Sequence, residues 1–295
     1  MSTAPAAPAV PRARSANLRQ TYDLAIAGAI GALCGLYLYV ELVHTESVWI
    51  RDALAGASIG GAIGFFLNAS GPSKDGAWLK LARDATWGVI AGAVGGALGL
   101  VVGEYVLGVF QGGLLGRAVS WAILGLGIGA SQGLASRSTQ RLAYGLIGGT
   151  IGGFLGGFLF EAMRKGMGNR YDLGQGVGIV MLGAGLGLSL ALVEQALRRA
   201  WVQVLRGRQE GRAYLLASKV SALGLDERAE VGLFGDPTVA RRHAEIVLEG
   251  RDYRLTSLAP SGRTRVNGEV VTGPRTLLDG DRIELGGTLL LFRKR

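Results

Sequence analysis

From Leu24 to Val193 the chain alternates long apolar stretches with short polar connectors. Six windows, 24–40, 53–73, 85–103, 118–136, 142–160 and 173–193, contain no charged residue. Each is close to the ~20 residues that an α-helix needs to cross a bilayer core. A helix lying on a soluble core would show charge every few residues on its outer face, and these windows show none. The pattern predicts six transmembrane helices, the second and fourth rich in Gly and Ser. Past residue 200 the period shortens. Tyr253-Arg-Leu-Thr-Ser257 alternates, and Asn267-Gly268 and Asp279-Gly280 stand as turn dipeptides between apolar runs, the signature of short strands in a β-sandwich. The expected fold is therefore an α-helical polytopic membrane domain followed by an all-β sandwich. Three segments are expected: a disordered cytoplasmic tail over 1–20, rich in Pro and Ala; a membrane domain over 21–198; and a β domain over 201–295.

The glycines refine the helical part. Gly88, Gly92 and Gly96 are four apart, and so are Gly145, Gly149, Gly153 and Gly157. That spacing cuts a smooth groove along a helix and lets a second backbone approach closely. A tight bundle accounts for it; a Gly-lined pore or a homo-oligomer seam is the alternative. A Gly-rich helix ending in Glu also recurs, at Gly35–Glu41, Gly99–Glu104 and Gly156–Glu161, each followed by a second Gly-rich helix. The recurrence points to three tandem helical hairpins.

Composition agrees with a membrane protein: 49% hydrophobic, 18% charged and 50 glycines in 295 residues. The net charge of +9 comes from arginines and lysines scattered beside apolar runs. Such placement fits anionic lipid and membrane orientation rather than nucleic acid. Arg12, Arg14 and Arg19, then Lys74, Lys80 and Arg83, then Arg137 and Arg141, then Arg198 and Arg199 fall on one side of the expected topology. Arg51, Arg117 and the group Arg164, Lys165 and Arg170 fall on the other. The bias places both termini in the cytoplasm of a bacterial inner or plasma membrane, with the last group running against it. Glu41, Glu104 and Glu161 then lie at the outer ends of odd-numbered helices, each with a base on the way into the next helix: Arg51, Arg117 and Arg170. They read as interfacial ion pairs or, alternatively, as a carboxylate ring at a pore mouth. Trp201 follows the last helix and suits either the membrane interface or the domain interior, and Arg206, Arg208 and Arg212 are expected to face lipid head groups.

Asp236-Pro-Thr-Val-Ala-Arg-Arg-His-Ala-Glu-Ile246 resembles the centre of a forkhead-associated (FHA) domain, whose usual wording there is Asp-Pro-x-Val-Ser-Arg-Arg-His. Leu205–Leu216 is similar to the family's first strand pair. Ser257–Gly268 aligns without gaps to its Asp-Leu-Gly-Ser-x-Asn-Gly-Thr-x-Val-Asn-Gly pattern, and Leu278–Gly286 to its closing turn and strand. The resemblance covers about the last third of the chain. It implies a module that binds a protein partner through loops around Leu225–Arg228, Thr238–Arg242 and Ser261–Arg265. It also implies structural roles for Gly224, His243, Asn267 and Gly268.

The departures change the expected ligand. FHA domains typically read phosphothreonine through the Arg of a Gly-Arg step, the Ser of a Ser-x-x-His step and a loop Asn. Those positions hold Leu225, Ala240 and Gly262 here. A phosphate needs charge-assisted donors, and these residues supply none, so the resemblance implies a fold kept and its usual ligand abandoned. Arg228, Arg241, Arg263 and Arg265 remain as substitutes from other positions. The chemistry of catalysis is missing: two histidines, His44 and His243, one cysteine, Cys34, and no Gly-x-x-x-x-Gly-Lys-Ser/Thr loop. The sequence predicts no enzyme, no metal and no cofactor. It predicts a membrane adaptor or scaffold, against two rivals: a phosphothreonine-dependent receptor in a Ser/Thr kinase pathway, and a channel or transporter regulated by its FHA-like module.

Overall fold

A computed structural model describes residues 13–109, 113–136, 138–166, 171–259 and 263–295. Gln20–Leu197 forms one compact unit, and Arg198–Arg295 is the body of the other.

The first unit holds six helices: α1 (Ala13–Leu42), α2 (Val48–Asp75), α3 (Trp78–Val109), α4 (Gly113–Ser136), α5 (Thr139–Gly166) and α6 (Tyr171–Leu197). All six are long and apolar enough to cross a membrane, with mean hydropathies between 1.4 and 2.2 over their best windows. α1 starts at Ala13, inside the stretch expected to be a tail over 1–20. Beyond Pro11 that stretch holds mostly Ala, Leu, Arg and Gln, which favour helix, and no further Pro or Gly before Gly28. Residues 1–12 lie outside the described residues.

Glycine decides how these helices touch. Between α2 and α3, Gly56, Gly60 and Gly64 lie against Gly96, Gly92 and Gly88, and a Cβ at any of them would collide with the facing carbonyl. Between α4 and α5 the same relation joins Gly125 to Gly149 and Gly129 to Gly145, and between α6 and α1 it joins Gly183 to Gly28. At the other three seams glycine also meets the backbone of a larger residue: Gly31 and Gly35 on Ile63 and Ile59, Gly99 on Leu124, and Gly152 and Gly156 on Leu186 and Leu182, while Gly95 and Gly127 add a Gly–Gly contact between α3 and α4. The six helices thus close into a ring in chain order, with glycine at every seam. Its centre is aliphatic. Ile59, Ile63 and Leu67 of α2, Leu124 and Ile128 of α4, and Leu182 and Leu186 of α6 belong to one buried cluster, none more than 4% exposed.

The second unit is a sandwich of two sheets. Its strands are β1 (Ala200–Arg206), β2 (Ala213–Leu215), β3 (Val220–Gly224), β4 (Val231–Gly232), β5 (Ala244–Glu249), β6 (Asp252–Ser257), β7 (Thr264–Val266), β8 (Glu269–Val270), β9 (Arg275–Leu277), β10 (Arg282–Leu285) and β11 (Thr288–Lys294). One sheet runs β2-β1-β11-β10-β7-β8 and the other β4-β3-β5-β6-β9. Alternating inward residues, among them Val202, Leu223, Ile246, Leu255, Ile283 and Phe292, make a separate core. Trp201 is buried, with the Arg198 guanidinium 3.9 Å above its ring.

The turns are set by residue type. Asn267 (φ 54°) and Gly268 (φ 86°) form the two-residue connection between the paired Val266 and Glu269, a left-handed geometry that Asn tolerates and Gly prefers. The Asn267 side chain then donates to Asp281 at 2.8 Å and accepts from the Arg282 N–H at 2.9 Å, tying this turn to the one before β10.

Candidate functional site

The register separates the two ends of the sandwich. Ala200, where the chain enters, pairs with Lys294, and Lys294 reaches Asp252 and Asp279. At the other end lie the last residue of β3, the first of β5 and the turn between β10 and β11. There the Gly286 N–H donates to the Arg263 carbonyl at 3.1 Å. The loops 225–230 and 233–243, together with Leu258, Ala259 and Arg263, therefore converge at the end remote from Ala200. Arg206 and Arg208, expected at lipid head groups, belong to this remote end as well: Arg206 donates to the Gly287 carbonyl, and the Arg208 side chain lies against Gly235.

His243 holds the loops together. The ring is fully buried. Its Nδ1 accepts the Ala240 N–H at 3.0 Å, and Nε2 lies 3.3 Å from the Arg263 carbonyl, so the neutral tautomer with hydrogen on Nε2 satisfies both. Its carbonyl accepts the N–H groups of Leu258 and Ala259, and its own N–H goes to Leu223. Burial pushes the imidazole pKa below its ordinary value, and the nearby Arg263 charge acts in the same direction.

Gly224 is needed by a close approach: a Cβ there would run into the Arg241 carbonyl. The next two N–H groups, of Leu225 and Asp226, donate to the carbonyls of Ala240 and Arg241 at 3.1 and 2.9 Å. The 225–230 and 233–243 loops are thus stitched backbone to backbone. Asp236 braces the second of them. Its carboxylate accepts from the Thr238 N–H and hydroxyl and from the Thr288 hydroxyl, and the Thr238 hydroxyl accepts the Gly287 N–H. Burial would raise the Asp236 pKa, but these hydrogen bonds outweigh it and hold the group below the usual carboxylate value.

The structure brings Leu225, Arg228, Ala240, Arg241 and Arg263 to this one end; Gly262 lies outside the described residues. Leu225 is half-buried and packs on the core, while Arg228, Arg241, Arg242 and Arg263 are exposed. Arg242 was legible as part of the Arg-Arg-His run, but only the fold puts Arg206 and Arg208 beside it.

The carboxylates of the helical unit do not form a symmetric ring. Glu41 is exposed. Glu104 pairs with Arg117 at 2.8 Å, as the hairpin reading expects. Glu161 is buried, 4.0 Å from the same Arg117 and 3.5 Å from Lys165, so one guanidinium serves carboxylates of two neighbouring hairpins. Arg51 faces Asp52, at 4.0 Å, rather than Glu41, and Arg170 lies outside the described residues. Among the described residues no three His, Cys, Asp or Glu side chains converge to hold a metal ion.

Comparison with known proteins places the second unit. The model of the family described as "Inner membrane component of T3SS, cytoplasmic domain" matches residues 203–295. The glycogen accumulation regulator GarA of Mycolicibacterium smegmatis is 33% identical over 93 residues, which is 32% of this chain and 58% of the relative. The oxoglutarate dehydrogenase inhibitor of Corynebacterium jeikeium is 33% identical over 93 residues, 32% of this chain and 63% of the relative. Residues 203–295 have an FHA-like fold. The chain spans less than two thirds of the length of these relatives. Among solved structures, the FhaA FHA domain complexed with the intracellular domain of Rv3910 is 32% identical at a TM-score of 0.29, covering 32% of this chain and 99% of that one. The FHA domain of CT664 from Chlamydia trachomatis is 25% identical at a TM-score of 0.31, covering 33% and 98%. The FHA-like domain is a protein-interaction module, and neither FHA domains nor the matched family are enzymes.

Proposed function

We propose that this protein is a membrane-held adaptor whose cytoplasmic FHA-like domain binds a protein partner without needing a phosphate on it. In this reading the six helices span a bacterial inner membrane with both termini in the cytoplasm, over domain limits close to 21–198 and 201–295. The six apolar helices and the match to an inner membrane component support the membrane part. The observation that carries phospho-independence is what stands at the two central positions. Leu225 turns a half-buried apolar side chain onto the core, and Ala240 has its N–H committed to His243. A phosphate arriving between them meets no charge-assisted donor from either side chain.

The channel reading gains no support from the bundle. The middle of the ring is filled by fully buried aliphatic side chains, and Glu161 is engaged by Arg117 and Lys165 rather than presented to an open mouth.

Binding of the full-length protein in nanodiscs to matched threonine and phosphothreonine peptide libraries tests the proposal. The native protein is expected to treat the two libraries alike. The double variant Leu225→Arg/Ala240→Ser is expected to gain a preference for phosphopeptides of about tenfold or more, since hydrogen bonds to a charged group contribute roughly 1.5–3 kcal/mol each. A native protein that already prefers phosphopeptides by that factor would overturn phospho-independence.

A further inference from the structure

Resting on that reading, the charges of the FHA-like domain say what the partner offers. Among its ion pairs are Arg254–Glu249, Arg275–Glu269, Arg293–Asp279 and Lys294–Asp252, at 2.7–3.2 Å. None of these four involves an arginine of the remote loop end. Arg206, Arg208, Arg228, Arg241, Arg242 and Arg263 are all exposed there, and among the described residues none has a carboxylate within 4.0 Å.

Three acidic residues beside them are engaged by the loops themselves. Asp236 is occupied by Thr238 and Thr288, Asp226 caps the Arg228 N–H at 2.9 Å, and Glu230 accepts from Ser218. These three carboxylates serve the loops, while the six guanidiniums stay exposed. Within this basic rim two apolar side chains are accessible: Leu225, half-buried, and Leu258, 45% exposed.

We propose that this end docks an unphosphorylated segment of a protein partner that carries several Asp or Glu side chains around an apolar one. The loops are joined backbone to backbone at 2.9–3.1 Å and by His243, so the arginines ride on one preorganised platform. Guanidinium forks match carboxylates in planar, two-pronged pairs. Positive groups distributed over several loops suit carboxylates distributed along a strand of peptide, whereas a single phosphate would need donors converging on one point. The leucines favour a peptide over a nucleic acid or lipid head groups, which have no side chain to place there.

The test uses the full-length protein in nanodiscs of zwitterionic lipid and an array of peptides rich in Asp, Glu and Leu. Each has an Asn/Gln counterpart and a phosphothreonine counterpart. Acidic peptides should bind about tenfold or more tightly than their amide counterparts and weaken as salt is raised, because exposed charge pairs are screened. Arg241→Glu and Arg263→Glu should abolish the difference, with Arg241→Gln reducing it. Arg254→Glu, at a paired position elsewhere in the domain, should leave it intact. Equal capture of acidic and amide peptides would overturn the acidic partner while leaving phospho-independent adaptor function standing. Capture of phosphothreonine peptides alone would overturn both. Displacement of bound acidic peptide by an oligonucleotide, or retention on anionic lipid at the expense of peptide, would assign the rim to a different polyanion and overturn it too.

Discussion

His243 accepts the Ala240 N–H, lies against the Arg263 carbonyl and gives its own carbonyl to Leu258 and Ala259, so one side chain carries the relative placement of two loops. Its acceptor nitrogen exists only in the neutral ring. Because burial depresses its pKa in the folded domain below the ordinary imidazole value of 6.5, the unfolded chain takes up the proton first as pH falls. The stability it contributes is therefore fully present above pH 6.5 and is lost as pH falls through the folded value. Hydrogen exchange in the stretch 238–259, corrected for intrinsic rate, should accelerate between neutral pH and about pH 5. His243→Ala should raise exchange at neutral pH and flatten the pH dependence; unchanged protection would remove the histidine from this role. Asp236 does not confuse the measurement, since its depressed pKa places its own loss below 3.8. At this scale much was legible: the family resemblance implied structural roles for Gly224, His243, Asn267 and Gly268, and the geometry around each is now explicit. The arginine rim was legible only in part. Arg228, Arg241 and Arg263 stand in loops the motif defines, while Arg206 and Arg208 join them through the pairing of β1 with β11, which no local pattern encodes.

Among the elements, charge-free windows located all six helices, because length and apolarity are local properties. The seams were a different matter. Spacing of four identified glycine grooves, but which groove meets which depends on the ring closing, and that is a tertiary event. The two kinds of contact, both present between α3 and α4, separate by residue size: where Gly faces Gly the backbones touch, and where Gly faces Ile or Leu the larger side chain is free to turn toward the centre. Gly60→Leu should therefore force α2 from α3, since even one carbon there meets the Gly92 carbonyl and the Gly96 Cα. A loss of about 1–3 kcal/mol or more is expected from overpacking of this kind, seen as a lower unfolding temperature of the purified protein in detergent. Gly108→Leu, with nothing within 4 Å of its added carbon, should leave that temperature nearly unchanged. Equal tolerance at both positions would mean that close glycine contact does not hold the bundle. The pairing of Arg117 with both Glu104 and Glu161 follows from the same closure: α5 lies beside α4, so the Glu of one hairpin reaches the base of another.

For the whole molecule, the adaptor reading requires the FHA-like domain and the loop between α1 and α2 to lie on opposite sides of the membrane. In that reading an even number of spans puts both termini together, and the excess of Lys and Arg around the first tail and Arg198–Arg199 favours the cytoplasm for them. Within the opposing group Lys165 has a local explanation, since it is 3.5 Å from the buried Glu161 and its charge is partly spent inside the protein. Single-cysteine labelling decides the matter. In a background where Cys34, the one native cysteine, is replaced by alanine, Glu46→Cys in the first loop should react with an impermeant maleimide added to intact spheroplasts. Arg295→Cys should react only after permeabilisation. The reverse pattern would place the arginine-rimmed loops outside the cell, away from any cytoplasmic partner. Labelling of both sites from one side would mean that an odd number of the five helices α2–α6 fails to cross, and the six-span reading would fall.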